Sequence, residues 1–348
     1  MTKSKHTKFD PAALLQEFVL IPAPPGQERP LREVLVTHVK ALGLNPTEDA
    51  KGNLLVALGD GKGTPIVITA HMDEIAMIVR RVMPDGSITV GPLGGLFPWK
   101  LGEGPVQLLG RTKTVDGVLG FGSIHTADKS STVRKADNAP IDWDMAKILT
   151  GLTLKELSKA GIRPGTRVVV HPSRRQLTKL GELVGGYFLD DRADLVSWLI
   201  ALEALKDTKA NIVFAATAAE EVGGEGAKFI LRNLKPDICV ALELGPNVED
   251  APVELTDQPT VWTADSYSSM SAEDGFLLDK IGEELKMDLQ FQSLSRGGSD
   301  ASASANQGLC ARCFTLALPM ANSHGCEVMH PGAMENLARL TVALVEAL

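Results

Sequence analysis

Residues 65–74 read PIVITAHMDE, a run of apolar and β-branched residues from Ile66 to Ala70 that stops abruptly at His71, Asp73 and Glu74. Without regular polar alternation, such a run suits a strand buried on both faces, as in parallel sheets covered by helices. The same grammar recurs downstream in NIVFAATAAEE (211–221), ICVALELG (238–245) and ARCFTLALP (311–319). Between and around these runs lie helix-like stretches: ADLVSWLIALEALK (193–206), GAKFILRNL (226–234), AEDGFLLDKIGEELK (272–286) and a closing ENLARLTVALVEAL (335–348). The alternation predicts an α/β fold, an open and mostly parallel sheet flanked by helices. Upstream, NLLVALG (53–59) is a further strand, and residues 11–44 read as two amphipathic helices broken by prolines between Ile21 and Gly26.

From about Glu74 to Pro172 the texture differs. Short strand-like pieces (AMIVRRV, SITVGP, VQLLG, GVLGFG) are separated by Gly, Pro and Asp turns, and one short helix in GLTLKELSKAG is closed by Gly161. The expected division is therefore an α/β catalytic domain formed by residues 1–74 and 175–348, with a β-rich domain, residues 75–174, inserted into it.

Composition narrows the function. The 348 residues are enough for two cores, and a net charge of -8 disfavours nucleic acid and anionic membrane as partners. No run approaches the roughly 18 apolar residues of a membrane span, and the opening MTKSKHTKFD lacks the apolar core of a signal peptide. The four cysteines (Cys239, Cys310, Cys313, Cys326) lie in or beside apolar segments, which points to reduced thiols and a cytoplasmic location. Cys310 and Cys313 form a CxxC, but with no second pair LCARCFTLALP reads as a buried strand ended by Pro319.

In open α/β sheets ligands gather at the carboxyl ends of strands. Polar residues stand there in five places: His71 and Asp73; Asp190 and Asp191 after GGYFL; Glu220 and Glu221; Glu243 after CVAL; and His324 after LALPMANS. Carboxylates converging on one edge repel unless cations lie among them, and a His/carboxylate set suits Zn, Mn or Co better than Mg. Two ions fit that ligand count. Asp190 and Asp191 compete for one role, as do His324 and His330, although the latter, in MHPGA, is explained by a helix start. Ser299 and Asp300, in RGGSDA, either line a pocket or cap a helix over ASASANQG.

The order AHMDE, LDDR, AAEEVG, a strand-borne acid and HGCE, with IPAPPGQE and RGGSDA, resembles the dinuclear-metal family of tetrahedral and glutamyl (deblocking) aminopeptidases, over nearly the whole chain. The resemblance implies a metal-dependent aminopeptidase with two divalent ions per subunit, zinc first and cobalt or manganese as alternatives. It implies that His71 and Glu243 serve one ion, that Asp190 bridges both, and that Glu221 and His324 complete the second. Glu220 would be the general base and Asp73 would orient the His71 imidazole. It also implies that the inserted domain mediates dimerisation, and that the dimers build a hollow tetrahedral dodecamer admitting only unfolded peptides. The chain departs from the pattern in having Glu243 where Asp is usual, Met320, Ala321 and Asn322 in place of an Arg-Tyr, and Gly224 and Glu225 where basic residues are common.

Three other functions share the same residues. A carboxypeptidase or amide deacylase on this frame would need a cation for a substrate carboxylate, for which Arg192 and Arg296 are the candidates. A glycosidase would use two carboxylates without metal. A non-catalytic assembly protein would need no ligands at all.

Overall fold

The computed structural model describes residues 7–348, so the reading of the leading MTKSKH lies outside the described residues. PIVITA forms the strand Ile66–His71, parallel to Ile212–Thr217 on one side and to Ile238–Pro246 on the other. Ile238–Pro246 pairs in parallel with Arg312–Ala321. These strands are the middle of an 11-stranded sheet.

Their side chains alternate between two cores, as the period of a strand requires. Ile68, Ala70, Phe214, Ala216, Val240 and Leu242 pack against helices Pro11–Val19, Arg29–Ala41, Leu189–Leu205 and Ala333–Ala347. Val67, Val213, Ala215, Cys239 and Ala241 face the other way, onto helices Glu225–Leu234 and Asp300–Ala305. Burial on both faces explains why these segments read as unbroken apolar runs.

Antiparallel strands extend the parallel centre at both edges. Leu54–Leu58 pairs with Ile212–Thr217, while Cys326–Met329, Leu183–Tyr187 and Thr178–Leu180 continue the sheet beyond Arg312–Ala321. Thr260–Ala264 also joins Arg312–Ala321, carrying Gln290–Ser293 with it. Pro319 does not end its strand, contrary to the expectation from sequence. The ladder runs on to Ala321, and Pro319 falls between the last residue paired with Thr260–Ala264, Ala317, and the first paired with Cys326–Met329, Met320. A residue lacking an N–H is tolerated where partners change.

Residues 76–170 form a second sheet, a closed barrel of six strands with its own core of Met77, Val79, Ile88, Val106, Leu108, Ile148 and Val168. Helix Leu154–Ala160 starts at a Thr153 capping box and stops at Gly161, φ 78, where a Cβ would lie 2.8 Å from the Arg111 nitrogen. Two four-residue helices, Pro98–Leu101 and Thr132–Lys135, are additions that the turn-rich texture concealed. Among the described residues no helix is long and apolar enough to cross a membrane, and the four cysteines are unpaired.

Candidate metal centre

The strand Ile66–His71 delivers His71 at its carboxyl end, 2% exposed. Helix Leu189–Leu205 is interrupted in its first turn, where Asp190 and Asp191 leave helical geometry after Phe188 at φ 64. Ile212–Thr217 leads through Ala219, φ 57, to Glu220 and Glu221. Glu243 lies within its strand rather than at the end, because the ladder continues to Pro246. His324, φ 60, follows Arg312–Ala321. Ordinary residues seldom adopt positive φ, and four of the six non-glycine cases among the described residues, Phe188, Ala219, Asn322 and His324, lie at or within two residues of these acids and histidines. Such strain persists where surrounding contacts over-determine it, and it collects at functional sites.

Two groups of donor atoms form. His71, Asp190, Asp191 and Glu243 offer atoms all within 4.8 Å of one another, and so do Asp190, Glu221 and His324. Asp190 is common to both. Its Oδ1 lies 3.1 Å from His71 Nε2 and its Oδ2 lies 3.4 Å from His324 Nε2, which is itself 3.6 Å from Glu221 Oε2. Glu221 Oε1 is buried without a hydrogen-bond partner. An imidazole nitrogen before each oxygen of one buried carboxylate, with an unsatisfied carboxylate oxygen beside it, is a donor set that fits a pair of N/O-preferring divalent ions.

The rings are oriented from behind. His71 Nδ1 donates to the Asp73 main-chain carbonyl at 3.0 Å, and His324 Nδ1 donates to the Gly95 carbonyl at 2.9 Å. A carbonyl only accepts, so Nε2 of each ring is left facing the carboxylates. The second bond comes from the barrel, and a Cβ at residue 95 would crowd the His324 ring at 3.0 Å, so a larger residue there would push the ring.

Asp73 holds the His71 ring through its main-chain carbonyl rather than through its carboxylate. Its carboxylate stands 3.6 Å from the His71 ring and instead accepts the main-chain N–H groups of Glu220 and Glu221 at 2.9 and 3.0 Å. Two more carboxylates do likewise. Asp191 accepts the His71 N–H at 2.6 Å, and Glu327 accepts those of Asp190 and His324 at 3.1 and 3.0 Å. Asp191 thus turns one oxygen away from the shared region that Asp190 occupies.

Electrostatics follow from burial. Removal from water raises Glu220 and Glu243 well above the ordinary carboxyl range, Glu221 to about 7 and Glu327 to about 8. Burial also raises Asp191 and Asp194, whose carboxyls adjoin. Asp190 goes the other way, because hydrogen bonds from His324 and His71 outweigh its burial. His324 is pushed up to about 11, chiefly by the Glu221 charge. The two imidazoles stand as counter-charges among these acids.

Ser299, fully buried, caps helix Asp300–Ala305, as one of the two alternatives expected, and bonds the Thr315 hydroxyl at 2.6 Å. Asp300 accepts from Thr217 at 2.6 Å, with its other oxygen unpartnered, and burial raises it to about 6. His330 Nδ1 accepts the Gly332 N–H at the start of the last helix, which leaves His324 as the histidine of the site. Arg192 is unavailable to a substrate: fully buried, it pairs with Glu74 at 2.7 Å and donates to the Met72 carbonyl at 2.6 Å, while Arg175 binds the same Glu74. Neither this ion triad nor Glu327 emerges from strand-end reasoning. The acid in HGCE was the available signal for Glu327; the triad had none.

This chain is 25% identical over 345 residues to the lysyl aminopeptidase of Pyrococcus furiosus, covering 96% of each. It is 27% identical over 327 residues to the glutamyl aminopeptidase of Lactococcus lactis, covering 91% of this chain and 90% of the relative. The TET1 peptidase of Pyrococcus horikoshii, which can assemble into a tetrahedron or a large octahedral shell, superposes with a TM-score of 0.85 at 27% identity, over 97% of this chain and 99% of that one. The fold shared with the TET1 peptidase, together with these aminopeptidase relatives, marks the chain as a peptide hydrolase. Residues 52–340 match the M42 glutamyl aminopeptidase family, and the chain belongs to it.

Proposed function

We propose that the protein is a metal-dependent aminopeptidase that removes N-terminal residues from short peptides, with Glu220 as general base. The observation that carries this reading is Asp190, flanked by an imidazole nitrogen at each oxygen. His71, Asp190 and Glu243 would hold one divalent ion, and Asp190, Glu221 and His324 a second, with zinc the expected metal and cobalt or manganese alternatives. Ions bound there supply an acidified water and a polarised scissile carbonyl. Glu220, whose N–H is fixed by Asp73 and whose carboxyl is raised by burial, takes the water proton and passes it to the leaving amine.

The buried guanidinium groups Arg175 and Arg192 are committed to Glu74, so neither is free to hold a C-terminal carboxylate. This removes Arg192 as the carboxylate-binding cation of the carboxypeptidase reading and leaves Arg296, which is exposed. The relatives are named for lysyl and for glutamyl substrates, so membership of the family does not fix the side chain preferred at the N-terminus. Four free cysteines fit a cytoplasmic setting.

Exposed Phe97, Trp99, Val118, Ile124, Leu149 and Leu154 on the barrel support association through that domain, with dimers assembling into a tetrahedral dodecamer. Sedimentation at micromolar concentration should give a dodecamer-sized species; a dimer or monomer alone would sink this assembly.

Metal removal is expected to lower the melting temperature and to make it pH-dependent. An acid whose pKa is higher folded than unfolded binds more protons in the folded chain between those values, so stability falls across that interval as pH rises. Glu221, raised to about 7, and Glu327, raised to about 8, act in this direction, and so does His324, raised to about 11. Calorimetry of chelated protein should therefore show melting falling between about pH 5 and about pH 8, with added Zn2+ restoring it. Identical melting of chelated and loaded protein would count against a metal centre.

A further inference from the structure

We infer that Glu327 is a positioning residue that sets the geometry of the ion site formed by Asp190, Glu221 and His324, an inference that rests on the two-ion reading above. Glu327 is 1% exposed on the strand Cys326–Met329, opposite Gly186 of Leu183–Tyr187. That placement puts it between two segments distant in sequence: His324 lies three residues before it, and Asp190 follows its partner strand. Its Oε1 accepts the His324 N–H at 3.0 Å and its Oε2 accepts the Asp190 N–H at 3.1 Å. One carboxylate therefore spans the two residues whose side chains meet at 3.4 Å, Asp190 Oδ2 to His324 Nε2.

Both oxygens are taken by main-chain N–H groups, so Glu327 acts through its neighbours and is not itself a donor to an ion. The need for such a clamp is visible in the backbone. Asn322 and His324 are both at positive φ, 62 and 60, and so is Phe188, two residues before Asp190, at 64. Left to themselves these segments would relax toward commoner conformations, carrying the imidazole and the carboxylate with them. His71 is held separately, through Asp191 and the Asp73 carbonyl, so the other ion site depends less on Glu327.

Glutamine at 327 keeps the shape but offers one acceptor oxygen, and its NH2 opposes whichever N–H the oxygen does not take. Co2+ alone is the probe, followed by equilibrium dialysis and visible absorption on the full chain, beside wild type, His324→Ala and His71→Ala. Wild type should bind two ions. Glu327→Gln should keep one at near-wild-type affinity and bind the second roughly ten- to a hundredfold more weakly, and its one-ion spectrum should match that of His324→Ala and not that of His71→Ala. Glu327→Asp, which retains two acceptors on a shorter arm, should fall between and serves if the glutamine variant does not fold. Wild-type binding of both ions by these variants, or equal weakening of both sites, overturns the assignment alone. Fewer than two ions on wild type overturns the two-ion reading, and this inference with it.

Discussion

Glu220→Gln protein is expected to bind its ions as wild type does and to lose roughly a thousandfold in kcat on free N-terminal peptides, within the 10²–10⁴ that general-base catalysis supplies. The argument is geometric. Glu220 belongs to neither cluster of donor atoms, whereas its neighbour Glu221 belongs to one. Asp73 fixes both residues through their N–H groups, so the amide substitution leaves the loop in place and removes only the carboxylate's ability to take a proton. KM should change little, since the lost interaction belongs to the transition state. Metal analysis beside steady-state kinetics on aminoacyl-anilides would check this. Retention of more than a tenth of wild-type kcat would remove Glu220 from the base role.

Asp190→Ala should be the more damaging change, because Asp190 alone is common to both donor groups. Partners behind a ligand are worth 10–100-fold in metal affinity, so deleting a shared ligand is expected to cost more than roughly a hundredfold at each ion and to take activity to background. Asp191→Asn is the informative control. Asp191 spends one oxygen on the His71 N–H and adjoins Asp194, so its amide variant should keep most of the affinity. Dialysis against Zn2+ would separate the two positions. Loss of both ions from Asp191→Asn with retention by Asp190→Ala would exchange their roles.

How much of this was legible depended on how local the cause was. Apolar runs that stop at an acid or histidine reveal strands and their carboxyl ends, and this located His71, Asp190, Glu221 and His324 in one region. Glu243 was found for the same reason but placed at a strand end, whereas its strand runs to Pro246. The strands Thr260–Ala264 and Gln290–Ser293 escaped notice because they are short and the second is polar. Pro319 misled because its tolerance depends on which strands lie beside it, a property of topology. The supporting carboxylates were hardest to see. Glu327 and Asp190 are 137 residues apart, and Glu74 and Arg192 are 118 apart, so no window of sequence contains their hydrogen bonds.

The wide spacing of the site has a consequence for how the protein comes into being. His71 is made well before its parallel neighbour Ile238–Pro246 and the strand beyond that, Arg312–Ala321, and His324 comes later still. The barrel of residues 76–170 draws all its strands from one contiguous stretch and can close while ribosomal synthesis is still under way. The larger sheet cannot. A nascent chain therefore brings the two donor groups together only once the strand before His324 has joined the sheet, and a chain that stops short of His324 lacks one member of the second group.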